Sequence, residues 1–260
     1  MHLILSILLT EGTVCVCGLA AMVYWRWKAV PDPSELQFEG DFPQEGTLSR
    51  VTRPAESRRY CLIKRGIDFT TSFLMLLAFA VPGCLIAALI WMTSDGPIFY
   101  TEKRIGQYGC PFRIWKFRSM YTDREIRSKM PQIESSEAHR FQRMRKSESD
   151  PRITKIGHFL RRWSVDEVPQ LLNVIVGDMS LIGPRPIVEA EIGLYGEKID
   201  RYLEVKPGLS GLWQVSGRSN IGYEKRAELD AHYVRTWSLK SDFQILARTV
   251  PAVLKRVGAK

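Results

Sequence analysis

Two stretches of the 260-residue chain are nearly free of charge. Leu3–Trp25 contains Glu11 as its one charged residue, and Phe69–Met92 (FTTSFLMLLAFAVPGCLIAALIWM) contains none. A helix that spans a bilayer needs roughly 20 apolar residues, so both are long enough. The first predicts an N-terminal membrane anchor within residues 1–28. It lacks the basic segment before and the small-residue cleavage pattern after that mark a signal peptide. Arg26 and Lys28 place its C-terminal end on the cytoplasmic side. The second stretch has Lys64 and Arg65 before it and Lys103 and Arg104 after it, so positive charge flanks both ends. Pro82 stands near its midpoint, where a missing N–H permits a sharp bend. The pattern predicts a re-entrant helix over 69–92, broken at Pro82, that enters and leaves on one face. Backbone freed at such a bend needs shelter in protein or near the headgroups.

The remaining pattern is that of a folded domain. Residues 29–60 read as a linker, rich in Pro, Gly and acidic residues up to Ser57. Tyr100–Met120 reads as two short strands around the turn Gln107-Tyr108-Gly109, which gives a small sheet over 98–118. Tyr121–Asp150 is highly charged with few apolar anchors, as in a loop or mobile helix. Ile156, Phe159, Leu160 and Trp163 recur at helical spacing opposite Lys155, Arg161 and Arg162. Phe243, Leu246 and Val250 do the same between Leu239 and Val257. Both stripes fit either core-facing helices or basic interfacial helices lying on a membrane. The expected fold class is α+β: a helix-rich, membrane-associated domain, residues 61–260, with a small sheet and amphipathic interfacial helices.

Charge then narrows the partners. Thirty-seven Lys and Arg against 28 Asp and Glu give a net charge of +9, which favours phosphates, nucleic acid or an anionic membrane face. The five cysteines match neither a disulfide framework nor a zinc site, and the four histidines have no paired-ligand spacing.

Against this basic background, Asp166 and Glu167 stand together in WSVDEVPQ, residues 163–170, at the mouth of the apolar run Val168–Val176. Ser164 and Glu167 have the spacing of a capping box. Pro169 sits too deep for a helix capped at Ser164, so the helix begins later or bends there. Capping gives Asp166 no task. GPRP, residues 183–186, holds Arg185 on a stiff loop suited to phosphate, although a tight turn with a solvated arginine has the same pattern. KPGLSGLWQVSGRS, residues 206–219, offers glycines, Lys206, Trp213 and Arg218, and fits an anion-binding loop without the P-loop or dinucleotide pattern. A Mg²⁺ site uses one or two carboxylates plus substrate phosphates, and a carboxylate can attack phosphorus to give an acyl phosphate. Asp166 and Glu167 supply one oxyanion for each task.

The series KRGIDF, KFRSM, SVDEVPQLLNVIVGDMSLIGPRP, KPGLSGLWQVSGRS and LDAHYVRTWSLKSDFQIL closely resembles the bacterial sugar transferases, the monotopic phosphoglycosyl transferases. The blocks occur in the family's order from about Cys61 to Arg256. The resemblance implies transfer of a sugar 1-phosphate from a UDP-sugar to polyprenyl (undecaprenyl) phosphate, with release of UMP. This is the first membrane step of exopolysaccharide, capsule or O-antigen assembly. It implies that Asp166 attacks the sugar-bearing phosphorus, that Glu167 helps Asp166 bind Mg²⁺, and that Lys116 and Arg185 contact phosphate. Arg218 matches a nucleotide-binding loop, and Asp230 a further acidic position near the site. The wording of the 206–219 block is most similar to members that transfer galactose or glucose. A place at the cytoplasmic face of the bacterial inner membrane follows, with no nucleic-acid partner. The family usually has Ser before the helix-breaking proline, where this chain has Val81.

Two other readings fit parts of the pattern. A membrane-anchored basic module binding anionic lipid or nucleic acid explains charge and apolar stretches, but leaves Asp166 idle. A glycoside hydrolase needs two carboxylates that straddle a sugar, which adjacent residues do not naturally do.

Overall fold

A computed structural model describes residues 57–129, 150–217 and 221–254. The expected anchor, nearly all of the linker, and Arg218 lie outside the described residues.

The chain opens with a long helix, α1 (Ser57–Thr93), that contains Pro82 and does not end there. Along one side, Asp68, Ser72, Leu76, Phe79, Ile86 and Ile90 recur at helical spacing and turn toward the domain. Elsewhere on the helix Leu62, Ile67, Phe73, Leu77, Leu85 and Trp91 are exposed.

Both ends of α1 are tied into the same body. Near the start, Lys64 Nζ donates to Asp242 at 2.6 Å and to the Ile182 carbonyl at 3.2 Å. Arg65 donates to the carbonyls of Val174 and Ile175. Asp68 accepts from Ser180 Oγ at 2.8 Å and from the Leu181 N–H at 3.2 Å. At the far end, Ile90 packs with Phe117 and Leu160, and Arg118 donates to Ser94 O and Oγ, each at 2.9 Å. The basic residues that flank the apolar stretch are therefore largely structural. Arg65 satisfies carbonyls that the end of a short helix would otherwise leave open, and Lys64 neutralises a carboxylate of the domain.

Two strands follow, β1 (Phe99–Ile105) and β2 (Pro111–Phe117), paired antiparallel around a 3-10 turn at Gln107–Gly109. The sheet and turn stand where the sequence places them. Tyr108 and Gly109 both take positive φ, 59° and 77°, to reverse the chain. A short helix α2 (Asp123–Lys129) opens the charged segment.

Helix α3 (Lys155–Arg162) begins at Thr154, whose Oγ1 accepts the Gly157 N–H at 2.9 Å. A Cβ on Gly157 would stand 1.9 Å from the Ser119 carbonyl, so the glycine lets α3 seat against the end of β2. The apolar stripe divides here: Leu160 is buried while Phe159 is exposed.

Next come a 3-10 turn (Val165–Gln170), α4 (Leu171–Val176), and β3 (Ser180–Ile182), which pairs in parallel with β4 (Gly208–Ser210). Short helices α5 (Ile192–Tyr195) and α6 (Ile199–Leu203) lie between those strands. The chain then forms α7 (Leu212–Val215), α8 (Tyr223–Thr236) and α9 (Leu239–Leu254). The main core joins Ile114, Leu171, Val174, Met179, Tyr233 and Ile245, drawn from β2, α4, the β3 edge, α8 and α9. On α9, Asp242 and Ile245 face inward, while Phe243, Leu246 and Val250 point outward. The fold is thus helix-rich with small two-stranded sheets.

Candidate active site

The segment carrying Asp166 and Glu167 is set by an unusual turn. Ser164 caps nothing with its side chain; it adopts the left-handed region at φ 56°. The expected capping box is absent: Ser164 lacks the extended backbone of an N-cap, and its side chain makes no cap hydrogen bond. The tighter 3-10 turn then accommodates Pro169, and regular α-helix starts at Leu171, past the proline. Asp166 is 9% exposed and Glu167 half-buried.

Lys116 comes from β2. Its Nζ lies 2.8 Å from Glu167 Oε1. Strand β2 is held to α4 by Asn173, which accepts the Trp115 N–H at 3.1 Å and donates to the Arg113 carbonyl at 2.7 Å. One buried amide thus ties the lysine's strand to the helix that follows the carboxylates. Tyr100 pairs across the sheet with Lys116, shares its face and is half exposed.

Burial, then the charge of Glu167, pushes the Asp166 carboxyl up to about 6, and Lys116 and Arg161 pull it only part of the way back. The site therefore holds a carboxylate that is desolvated yet ionised at neutral pH. Such an oxyanion is a stronger nucleophile than one in bulk water.

Arg185 approaches from the β3–β4 side. The backbones of Gly183 and Gly208 pass so closely that a Cβ on Gly208 would stand 2.1 Å from the Gly183 nitrogen. Gly211 is equally constrained, at 2.2 Å from the Gly183 carbonyl. The glycines of both GPRP and KPGLSGLW serve this contact, which brings Arg185 over the Trp213 ring at 5.9 Å. Burial opposes the Arg185 charge, but Glu191, Tyr223 and Glu167 outweigh it and hold its pKa above the ordinary value. Arg185 thus stands in the field of Glu167.

Asp230, on α8, is 1% exposed and lies behind Arg185. Tyr195 donates to it at 2.9 Å. Burial drives its carboxyl up to about 7, against Tyr195, Arg226 and Arg185. It lies deep, against Arg185 and Arg226. Five residues escaped the motif reading as site components: Arg161, Glu191, Tyr195, Tyr223 and Arg226. Each is ordinary in sequence, and only the fold brings it here.

Among the described residues, no three His, Cys, Asp or Glu side chains converge into a metal cluster. Asp166 and Glu167 do fit the smaller donor set of Mg²⁺, one or two carboxylates completed by waters and substrate phosphates.

Residues 59–256 match the family model described as bacterial sugar transferase. The chain is 39% identical over 219 residues to a UDP-galactose-lipid carrier transferase of Erwinia amylovora, covering 84% of this chain and 46% of that protein. It is 40% identical over 222 residues to an undecaprenyl-phosphate galactose phosphotransferase of Salmonella typhimurium, with 84% of this chain and 46% of that protein covered. The chain spans about half the length of these two relatives. Against the exopolysaccharide production protein ExoY of Rhizobium meliloti, the match is 42% identical over 199 residues and spans 76% of this chain and 88% of that protein.

Proposed function

The chain belongs to the bacterial sugar transferase family, and from that premise we propose that it moves a sugar 1-phosphate from a UDP-sugar to polyprenyl phosphate. The donor sugar in this proposal is galactose or glucose, and the products are UMP and a polyprenyl diphosphate sugar. The observation that carries it is the buried Asp166 beside the Lys116–Glu167 pair, with Arg185 within the electrostatic reach of Glu167.

In the first step an Asp166 oxygen bonds to the sugar-bearing phosphorus. The phosphoanhydride P–O bond breaks, and UMP leaves with that oxygen and its electron pair. In the second step an oxygen of polyprenyl phosphate attacks the same phosphorus, the acyl phosphate bond breaks, and the Asp166 carboxylate is restored. Lys116 orients Glu167 and favours the ionised state of Asp166. Arg185 holds phosphoryl oxygens through its forked donors. Mg²⁺, when held by Asp166 and Glu167, neutralises charge on the diphosphate.

The lipid acceptor calls for a membrane-bound enzyme, read here as the cytoplasmic face of the bacterial inner membrane. Both ends of α1 dock on one domain, which supports entry and exit on one face, although the helix runs on through Pro82. The outward Phe243, Leu246 and Val250 on α9 support an interfacial helix beside it.

The test is UMP release by detergent-solubilised protein with Mg²⁺ and polyprenyl phosphate. It compares UDP-galactose, UDP-glucose and UDP-N-acetylglucosamine, for wild type and Asp166→Asn. Release from a hexose donor that vanishes in the variant supports the proposal. Equal release by both proteins removes Asp166 as the nucleophile.

A further inference from the structure

The Arg185 loop is fixed along its backbone before its side chain is considered. Gly183 N–H bonds to the Ser210 carbonyl at 2.9 Å, and Gly208 N–H to the Pro184 carbonyl at 2.7 Å. Beyond the arginine, Arg104 donates to the Pro186 carbonyl at 3.1 Å, and Ile105 N–H to the Ile187 carbonyl at 2.9 Å. Ile187 N–H bonds to the Tyr202 hydroxyl at 3.2 Å. What remains open is the direction of the guanidinium, and a long cationic side chain has many rotamers to lose.

Glu191 stands where that direction is set. It is buried, and its carboxylate faces Arg185 Nη1 at 3.5 Å and Arg104 Nη1 at 4.0 Å. It accepts the Val188 N–H at 3.1 Å and the Tyr223 hydroxyl. Tyr223 is braced in turn: the Arg226 guanidinium lies 4.7 Å from its ring and 4.4 Å from the ring of Trp213. Trp213 also carries Arg185. Glu191 is thereby clamped from its own backbone turn and from α8. Burial works against its charge, yet Tyr223, Arg185 and the Val188 N–H hold its pKa below the ordinary carboxylate value.

We propose that Glu191 is the positioning residue for Arg185, holding one edge of the guanidinium so that its other N–H groups face the donor diphosphate beside Asp166. The inference rests on the transferase reading for the identity of that anion. Without the Glu191 charge, Glu167 is the acid left to attract Arg185 from the catalytic side, and a pair between them takes both groups from the substrate.

A double-mutant cycle separates this role from a structural one. Glu191→Gln keeps the volume and removes the charge. It is expected to raise KM for the UDP-sugar about tenfold while kcat changes less than about threefold. In an Arg185→Ala background the same change is expected to add less than about twofold. An equal loss in both backgrounds overturns the proposal, since Glu191 then acts without Arg185. If Glu191→Gln does not fold, Tyr223→Phe, which removes one donor and keeps the charge, carries the same cycle with about a threefold effect. Thermal stabilisation by UDP provides the second readout. If the protein releases no UMP from any donor, yet UDP stabilises it through Arg185 and less so in Glu191→Gln, the transferase reading fails and the positioning role stands. UDP stabilisation that is indifferent to both residues overturns the positioning role.

Discussion

Asp166→Asn is expected to make the protein more stable while abolishing its activity. An aspartate of ordinary pKa 3.8 that titrates at about 6 when folded disfavours the ionised folded state by about 3 kcal/mol, at 1.36 kcal/mol per tenfold change in proton affinity. The sign follows from the raised value. The contribution to stability is fully present below about pH 3.8 and is lost as pH rises through about 6. At pH 7.5 the wild type therefore carries the whole penalty, and an uncharged amide of the same shape does not. For a domain of roughly 200 residues, about 3 kcal/mol corresponds to a Tm gain of about 6–12 °C. This is an upper bound, because the amide must still find partners where a carboxylate stood. At pH 5 most wild-type molecules are protonated at this site, so the advantage of the variant shrinks by about half. Fluorescence-detected thermal unfolding in detergent at pH 7.5 and pH 5 measures both quantities. A variant less stable than wild type at pH 7.5, or an equal gain at both pH values, refutes the claim that Asp166 is held ionised at a cost.

The same carboxyl shapes the pH–rate profile. UMP release should fall about tenfold per unit of pH below about pH 6 as Asp166 takes up a proton; a flat profile from pH 5 to 8 contradicts it. Lys116→Gln removes a cation that lowers the Asp166 pKa, so its acid limb should move above pH 6, with kcat reduced about a hundredfold. An unshifted limb in that variant separates Lys116 from Asp166. Asn173→Ala cuts both bonds between β2 and α4 and should cost about 1–3 kcal/mol in urea unfolding. It should also lower kcat, because Lys116 rides on β2 and Glu167 on the 3-10 turn that leads directly into α4. Unchanged kcat in a destabilised variant limits Asn173 to the fold.

The sequence made some of these features readable for physical reasons. Strand alternation and a Gly-bearing turn marked β1 and β2, and adjacent like charges in a basic chain marked Asp166 and Glu167. Pro169 signalled that the regular helix starts late, as it does at Leu171. Other features depend on three-dimensional packing. Ser164 has the spacing of a cap, but its left-handed backbone is imposed by the exit from α3. Lys64, Arg65 and Arg104 count as flanking charge in one dimension. In the fold they bind Asp242, the end of α4, and the Arg185 loop. Phe159 and Leu160 are neighbours in an apolar stripe, yet one is exposed and the other buried. Glu191 and Arg226 belong to no motif, because their work is done through Arg185, Tyr223 and Trp213.

The central claim is that Asp166 carries the sugar phosphate covalently. The most direct measurement incubates the protein with UDP-galactose or UDP-glucose and Mg²⁺ without acceptor, followed by intact-mass and peptide mass spectrometry. The account predicts a mass gain of one hexose phosphate less water, located on Asp166, with one UMP released per molecule modified and the adduct discharged by polyprenyl phosphate. UMP release that requires the acceptor from the first turnover, with no adduct on Asp166, contradicts it and points to direct transfer between the two substrates.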